Sequence, residues 1–113
     1  PHNMFVDDRE DEIVFADGWK AYIKHEMSAG DQEDLEDFMA NLQQGGQTDV
    51  RVRRFGEVKL VALNLRRVVS PEGTETRPAY EQVRQMKRIH FARLLEEVAA
   101  RNLPLGGSGP AKA

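Results

Sequence analysis

Two histidines, one run of carboxylates and two groups of arginines are the residues of this chain that could do chemistry. His25 and His90 could each ligate a metal or move a proton, but a metal site needs about three or four convergent ligands. No HxxxH, HExxH or DxDxDG spacing accompanies either residue. His25 therefore reads as a strand residue near a hairpin edge, and His90 as a helix residue, packed or half exposed. Asp31, Glu33, Asp34, Glu36 and Asp37 could pair as carboxylates or hold a cation. Helical spacing spreads them over more than one face, which favours a solvated face or an acidic surface for a basic partner. Arg51, Arg53 and Arg54, with Arg66 and Arg67, are the best candidates for phosphate contacts. Arg84, Lys87, Arg88 and Arg93 form a second group. Against that use, the chain is acidic overall, with a pI of about 5.6, and no known reading helix is evident. There is no Cys, which excludes disulfides, thiolate metal sites and thiol nucleophiles. No Gly-rich loop leads from a strand into a helix with Lys-Ser/Thr, so nucleotide binding has no support. No catalytic residue, metal ligand, cofactor or small-molecule substrate is indicated.

The charges are sorted by half. Residues 1–49 carry 13 acids against 3 bases, and residues 50–113 carry 6 acids against 13 bases, within a total of −3. Such a chain can fold its acidic helix against its basic helices, or it can offer each face to a different partner. Either reading favours a binding protein.

The elements that must position these residues read as follows. Glu12–Ala16 and Trp19–Met27 are predicted strands joined by Asp17-Gly18, a favoured type I′ pair. Alternation puts Trp19, Ala21, Ile23, His25 and Met27 on one face, expected to be buried. Tyr22, with Lys20, Lys24 and Glu26, lies on the other. Ser28 and Asp31 have capping-box spacing, and Leu35, Phe38, Met39 and Leu42 follow as a helical stripe that stops at Gly45-Gly46. Val50–Arg53 could start as a strand. From Gly56 a helix is predicted, with Val58, Val61, Ala62, Leu65, Val68 and Val69 as one stripe. Leu60 and Leu63 lie off that stripe, so the helix is apolar on two sides and its second side needs a neighbour. Ser70–Gly73 is a turn and Thr74–Arg77 a brief strand. Pro78 opens a helix, Lys87–Ile89 kinks or breaks it, and a last helix carries Phe91, Leu94, Leu95 and Val98 to about Asn102. The expected fold class is α+β, an N-terminal β-hairpin packed with three to four helices in one small domain over residues 12–103. Residues 1–3 read as a vector remnant before Met4, 4–11 as an acidic N-terminal segment, and 104–113 as a disordered tail. No apolar run reaches the length of a membrane helix.

This order of elements resembles that of the tail assembly chaperones of long-tailed bacteriophages and prophages. The likeness rests on DGW at the hairpin turn, SAGDQEDLEDF as a capped acidic helix and EVKLVALNLRRVV as an apolar helix. It continues through the turn SPEGTETRP to the closing YEQVRQMKRIHFARLLEEVAARN, and so spans most of the chain. The resemblance implies a non-enzymatic protein in the cytoplasm of a bacterial host. Such a protein would bind the tape-measure protein and help recruit tail-tube subunits, with self-association also possible. Candidate contact residues are Tyr22 on the open strand face, Leu60 and Leu63 as a ridge on the middle helix, and Arg67 following on the same side to fix a partner's carboxylate. The rival reading is a small nucleic-acid-binding regulator that uses the basic half. It is the weaker of the two.

Overall fold

The hairpin forms around the expected turn, but its first strand starts at Glu10, inside the residues read as a separate acidic segment, its second strand is shorter than expected, and its turn is of a different kind. In the computed structural model, which describes residues 4–102, β1 (Glu10–Val14) pairs antiparallel with β2 (Lys20–Lys24). The readings of residues 1–3 and 103–113 fall outside the described residues. A type I′ turn needs positive φ at both central residues. Only Gly18 has it, at 95°. The Phe15 amide donates to Trp19 O (2.9 Å) and the Gly18 amide to Phe15 O (3.0 Å). This is a three-residue loop with glycine in the left-handed position, the next most common hairpin solution.

A lone hairpin is marginal in water, and two more strands complete this one. β3 (Leu65–Val69) pairs with β2, and β4 (Glu75–Thr76) with β3, giving an antiparallel sheet in the order β1-β2-β3-β4. The stripe read as helix through Val69 is thus corrected. Helix α2 (Asp49–Asn64) stops at Asn64, and Leu65 turns directly into β3 with extended backbone. Val68 and Val69 suit a pleated strand as well as a helix face, and the open edge of β2 decides between them. At the other end of α2, Thr48 accepts from the Arg51 amide (3.3 Å), so Val50–Arg53 is helical rather than a strand.

Helix α1 (Ala29–Gln44) starts at the expected capping box. Ser28 Oγ accepts from the Asp31 amide (3.0 Å) and Asp31 Oδ2 from the Ser28 amide (3.3 Å). It packs on α2, where Gly56 allows a close approach. A Cβ there would stand 3.0 Å from Met39 Sδ. Pro78 lies just outside α3 (Tyr80–Arg84), whose first turn follows Ala79 rather than the proline. The helical run breaks over residues 85–87, and α4 (Arg88–Asn102) follows. Helix α2 is central, touching α1, α3, α4 and β3. The α+β core holds Ile13, Phe15, Ala21 and Ile23 from the hairpin, Leu60, Val61 and Leu65 from the middle, and Val83, Leu94 and Val98 from the last helices.

Candidate functional site

The four expected contact residues do not form one surface. Leu60 is only 7% exposed and belongs to the core, while Leu63 is half-buried and packed against it. They make no outward ridge. A helix apolar on two sides is here an interior helix, with its neighbours supplied by the chain itself. Arg67 is in β3, so it does not share a helix side with the leucines. It faces Tyr22 across the β2–β3 ladder instead.

Tyr22 and Arg67 are thereby brought together on the outer face of the sheet. The guanidinium lies 3.8 Å over the Tyr22 ring. It donates to Glu10 (2.9 Å) and Glu75 (3.3 Å), and the Tyr22 hydroxyl donates to Glu12 (2.7 Å). The bond from Arg67 holds the Glu10 carboxyl below its ordinary value, and the bond to Glu12 pushes the Tyr22 hydroxyl up. These side chains satisfy one another in a ladder across four strands. They stiffen the sheet more than they offer it to a partner.

The concave feature lies elsewhere. A cleft of about 350 Å³ opens between the turn end of the sheet and the α3–α4 corner. Phe15, Val68 and Leu94 contribute apolar surface from the core side, and Trp19, Pro78 and Met86 add to the lining. Trp19 was expected in the core, but it is 37% exposed. Alternation set its face correctly. Helix α4 reaches the turn end through His90 and covers Phe15, while Trp19 lines the cleft left between the sheet and the α3–α4 corner. The His90 ring packs tilted at 60° against Phe15 with centroids 4.7 Å apart, and its Nε2 lies 2.7 Å from Asp17 Oδ2. Desolvation raises the Asp17 carboxyl, but the bonds from His90 and the Trp19 amide together outweigh it and leave it below its ordinary value. His90 is thus a pinned residue of the cleft wall. Lys20 and Lys87 also line the opening. Lys20 reaches Glu12 only at 4.0 Å, and Lys87 makes no ion pair among the described residues. A small, largely apolar cleft with a few charged groups is the usual form of a binding site, and this volume is near the low end of the ~300–1,000 Å³ range.

His25 is tied between Asp11 (3.0 Å from Nδ1) and Arg9 (2.8 Å from Nε2). Asp11 also accepts from Arg101 (2.7 Å), which joins β1 to α4. Among the described residues no three His, Asp or Glu side chains could hold a metal ion. The two charged halves do meet, through Glu10 with Arg66 and Arg67 and Asp11 with Arg101. The first strand of the hairpin is therefore paired with arginines of the basic half. The acidic face of α1 is not: Glu33, Asp34, Glu36 and Asp37 stay exposed, as do Arg53 and Arg54 on α2. The cleft was missed in the sequence. Phe15, Met86 and His90 come from segments with no shared spacing, and only the lone Trp19 beside a turn hinted at it.

No family model, curated protein or solved structure matches this chain. No helix among the described residues is long and apolar enough to cross a membrane.

Proposed function

We propose that this chain is a non-enzymatic protein-binding module that acts as a tail assembly chaperone, holding a segment of the tape-measure protein and helping to recruit tail-tube subunits. The cleft carries this reading. Its wall of Trp19, Phe15, Met86 and Leu94 suits one or two large apolar side chains of a partner, and an aromatic anchor in a desolvated pocket is the common form of a binding hot spot. The partner class and the bacterial cytoplasm as the setting come only from the resemblance in sequence, in which the segment EVKLVALNLRRVV departs by turning from helix to strand after Asn64.

The test is co-expression with tape-measure and tail-tube proteins, followed by capture through this chain. Wild type should retain the tape-measure protein in high salt, since apolar contacts resist salt far better than phosphate contacts do. Met86→Asp should lose that capture at least ~10-fold, equivalent to ~1.4 kcal/mol. Wild type retaining neither protein would overturn the reading. The exposed Arg53 and Arg54 keep the regulator reading as the rival. Salt-sensitive DNA binding that vanishes in Arg53→Ala plus Arg54→Ala would put it first.

A further inference from the structure

The wall of the cleft is apolar, but the charge at its opening has one sign. Lys20 stands at the start of β2, and Lys87 in the break between α3 and α4. The cleft opens between these two parts of the fold, so the lysines stand on its two sides. Among the described residues no Asp or Glu lines it.

Acids do occur in the segments that supply the lining, and those nearest in sequence are engaged with other groups. Glu12 accepts from the Tyr22 hydroxyl (2.7 Å), and Asp17 lies 2.7 Å from His90 Nε2. Glu75 accepts from Arg67 (3.3 Å) and Glu81 from Arg84 (3.2 Å). The two lysines have no comparable partner. The 4.0 Å contact of Lys20 with Glu12 is at the limit of an ion pair, and both side chains there are nearly half exposed. Lys87 is exposed and makes no ion pair among the described residues. The site thus presents two cations beside an apolar wall and lacks the anions that would match them. Exposed ion pairs add little affinity. Opposite charge nevertheless speeds encounter, and like charge in the same place is penalised. Charge at this opening therefore selects among partners, and the wall of Trp19, Met86 and Leu94 holds the one selected.

We propose that the partner segment taken by this cleft is acidic: a large apolar side chain lies against Trp19 and Met86, and carboxylates on either side of it face Lys20 and Lys87. The inference rests on the reading of the cleft as a binding site for apolar side chains. It adds the charge of the segment that the cleft prefers.

Fluorescence anisotropy with the full chain tests this. The probes are short labelled peptides with a central Phe bracketed by Asp, by Ser or by Lys. At low salt wild type should bind the Asp peptide at least ~10-fold tighter than the Lys peptide, with the Ser peptide between them. Lys20→Glu plus Lys87→Glu, both at exposed positions, should melt like wild type and reverse that order. High salt should narrow the gap, because exposed charges are screened, while the apolar contact persists. No binding of the Asp peptide, equal binding of all the peptides, or an order that the double variant leaves unchanged would overturn the proposal. So would a wild type that sediments as a dimer and is dissociated by the same double variant, since the cleft would then belong to a second copy. Capture of the tape-measure protein separates this proposal from the reading beneath it. Where the peptides bind alike but Met86→Asp still loses capture, the cleft stands and only its charge preference has failed. Where wild type prefers the Asp peptide but captures no tail protein, the selective cleft stands and the chaperone reading has failed.

Discussion

Truncating Leu60 tests whether the middle helix is an interior element or a docking ridge. Leu60 is 7% exposed and belongs to the cluster that includes Ile23, Val61 and Leu94. A buried Leu→Ala change costs about 2–5 kcal/mol, depending on how far the site can collapse. Collapse is hard here, because α2 touches α1, α3 and α4 and runs without a loop into β3. The upper half of the range, about 3–5 kcal/mol, is therefore expected for Leu60→Ala. In a domain of this size, 1 kcal/mol lowers Tm by roughly 4–8 °C, so the melt should fall by at least about 12 °C. Leu60→Asp would also place an unpaired carboxylate in that core. Together these costs are comparable with the whole 5–15 kcal/mol stability of an ordinary domain. That variant should show no cooperative transition. Leu63→Asp, at a half-buried position, should still melt cooperatively at a reduced Tm. Thermal melts by circular dichroism, with urea midpoints at constant m to confirm two-state behaviour, read all three. Leu60→Ala melting within about 2 °C of wild type, well under the shift for 1 kcal/mol, would refute the placement of Leu60 in the core.

Trp19→Ala should cost less than the ~3–5 kcal/mol of a fully buried aromatic, because the ring is more than a third exposed. The same variant should nevertheless weaken capture of the partner, and urea unfolding beside a pull-down checks both halves. Gly18 and Gly73 both have φ of 95°, but a Cβ at Gly18 would meet Pro71 Cβ at 3.2 Å and one at Gly73 meets nothing. Gly73→Ala should therefore lose about 1–2 kcal/mol of backbone preference, and Gly18→Ala should lose clearly more; equal losses would dismiss the Pro71 contact. Bonds from Arg101 hold the Asp11 and Glu97 carboxyls below their ordinary values, with His25 and Arg93 adding to each in turn. Their folded values lie below the unfolded ones, so their stabilisation is present above the ordinary carboxylate range and is lost as pH falls through the folded values. Urea midpoints should drop for wild type between about pH 5 and pH 2, and Arg101→Gln should make that drop shallower.

The residues themselves determined whatever depends on near neighbours. The hairpin was legible because Asp17-Gly18 interrupts an alternating run, and α1 because Ser28 and Asp31 announce a start and Gly45-Gly46 a stop. These signals act within a few residues, where propensity and capping dominate. The Asn64–Leu65 boundary was not legible. The same Val, Leu and Arg residues satisfy a helix or a strand, and the choice fell to an unpaired edge of β2 more than forty residues away. Spacing likewise set which way Trp19 and Leu60 point but not what covers them. Leu60 is sealed in the core, and Trp19 is left on the wall of a cleft that α3 and α4 line without filling. The division of charge was plain in the sequence. Only the fold decided that the hairpin, and not α1, receives the arginines of the second half. The cleft belongs wholly to the tertiary structure. Asp17 and His90 stand 73 residues apart, and packing alone brings such groups together.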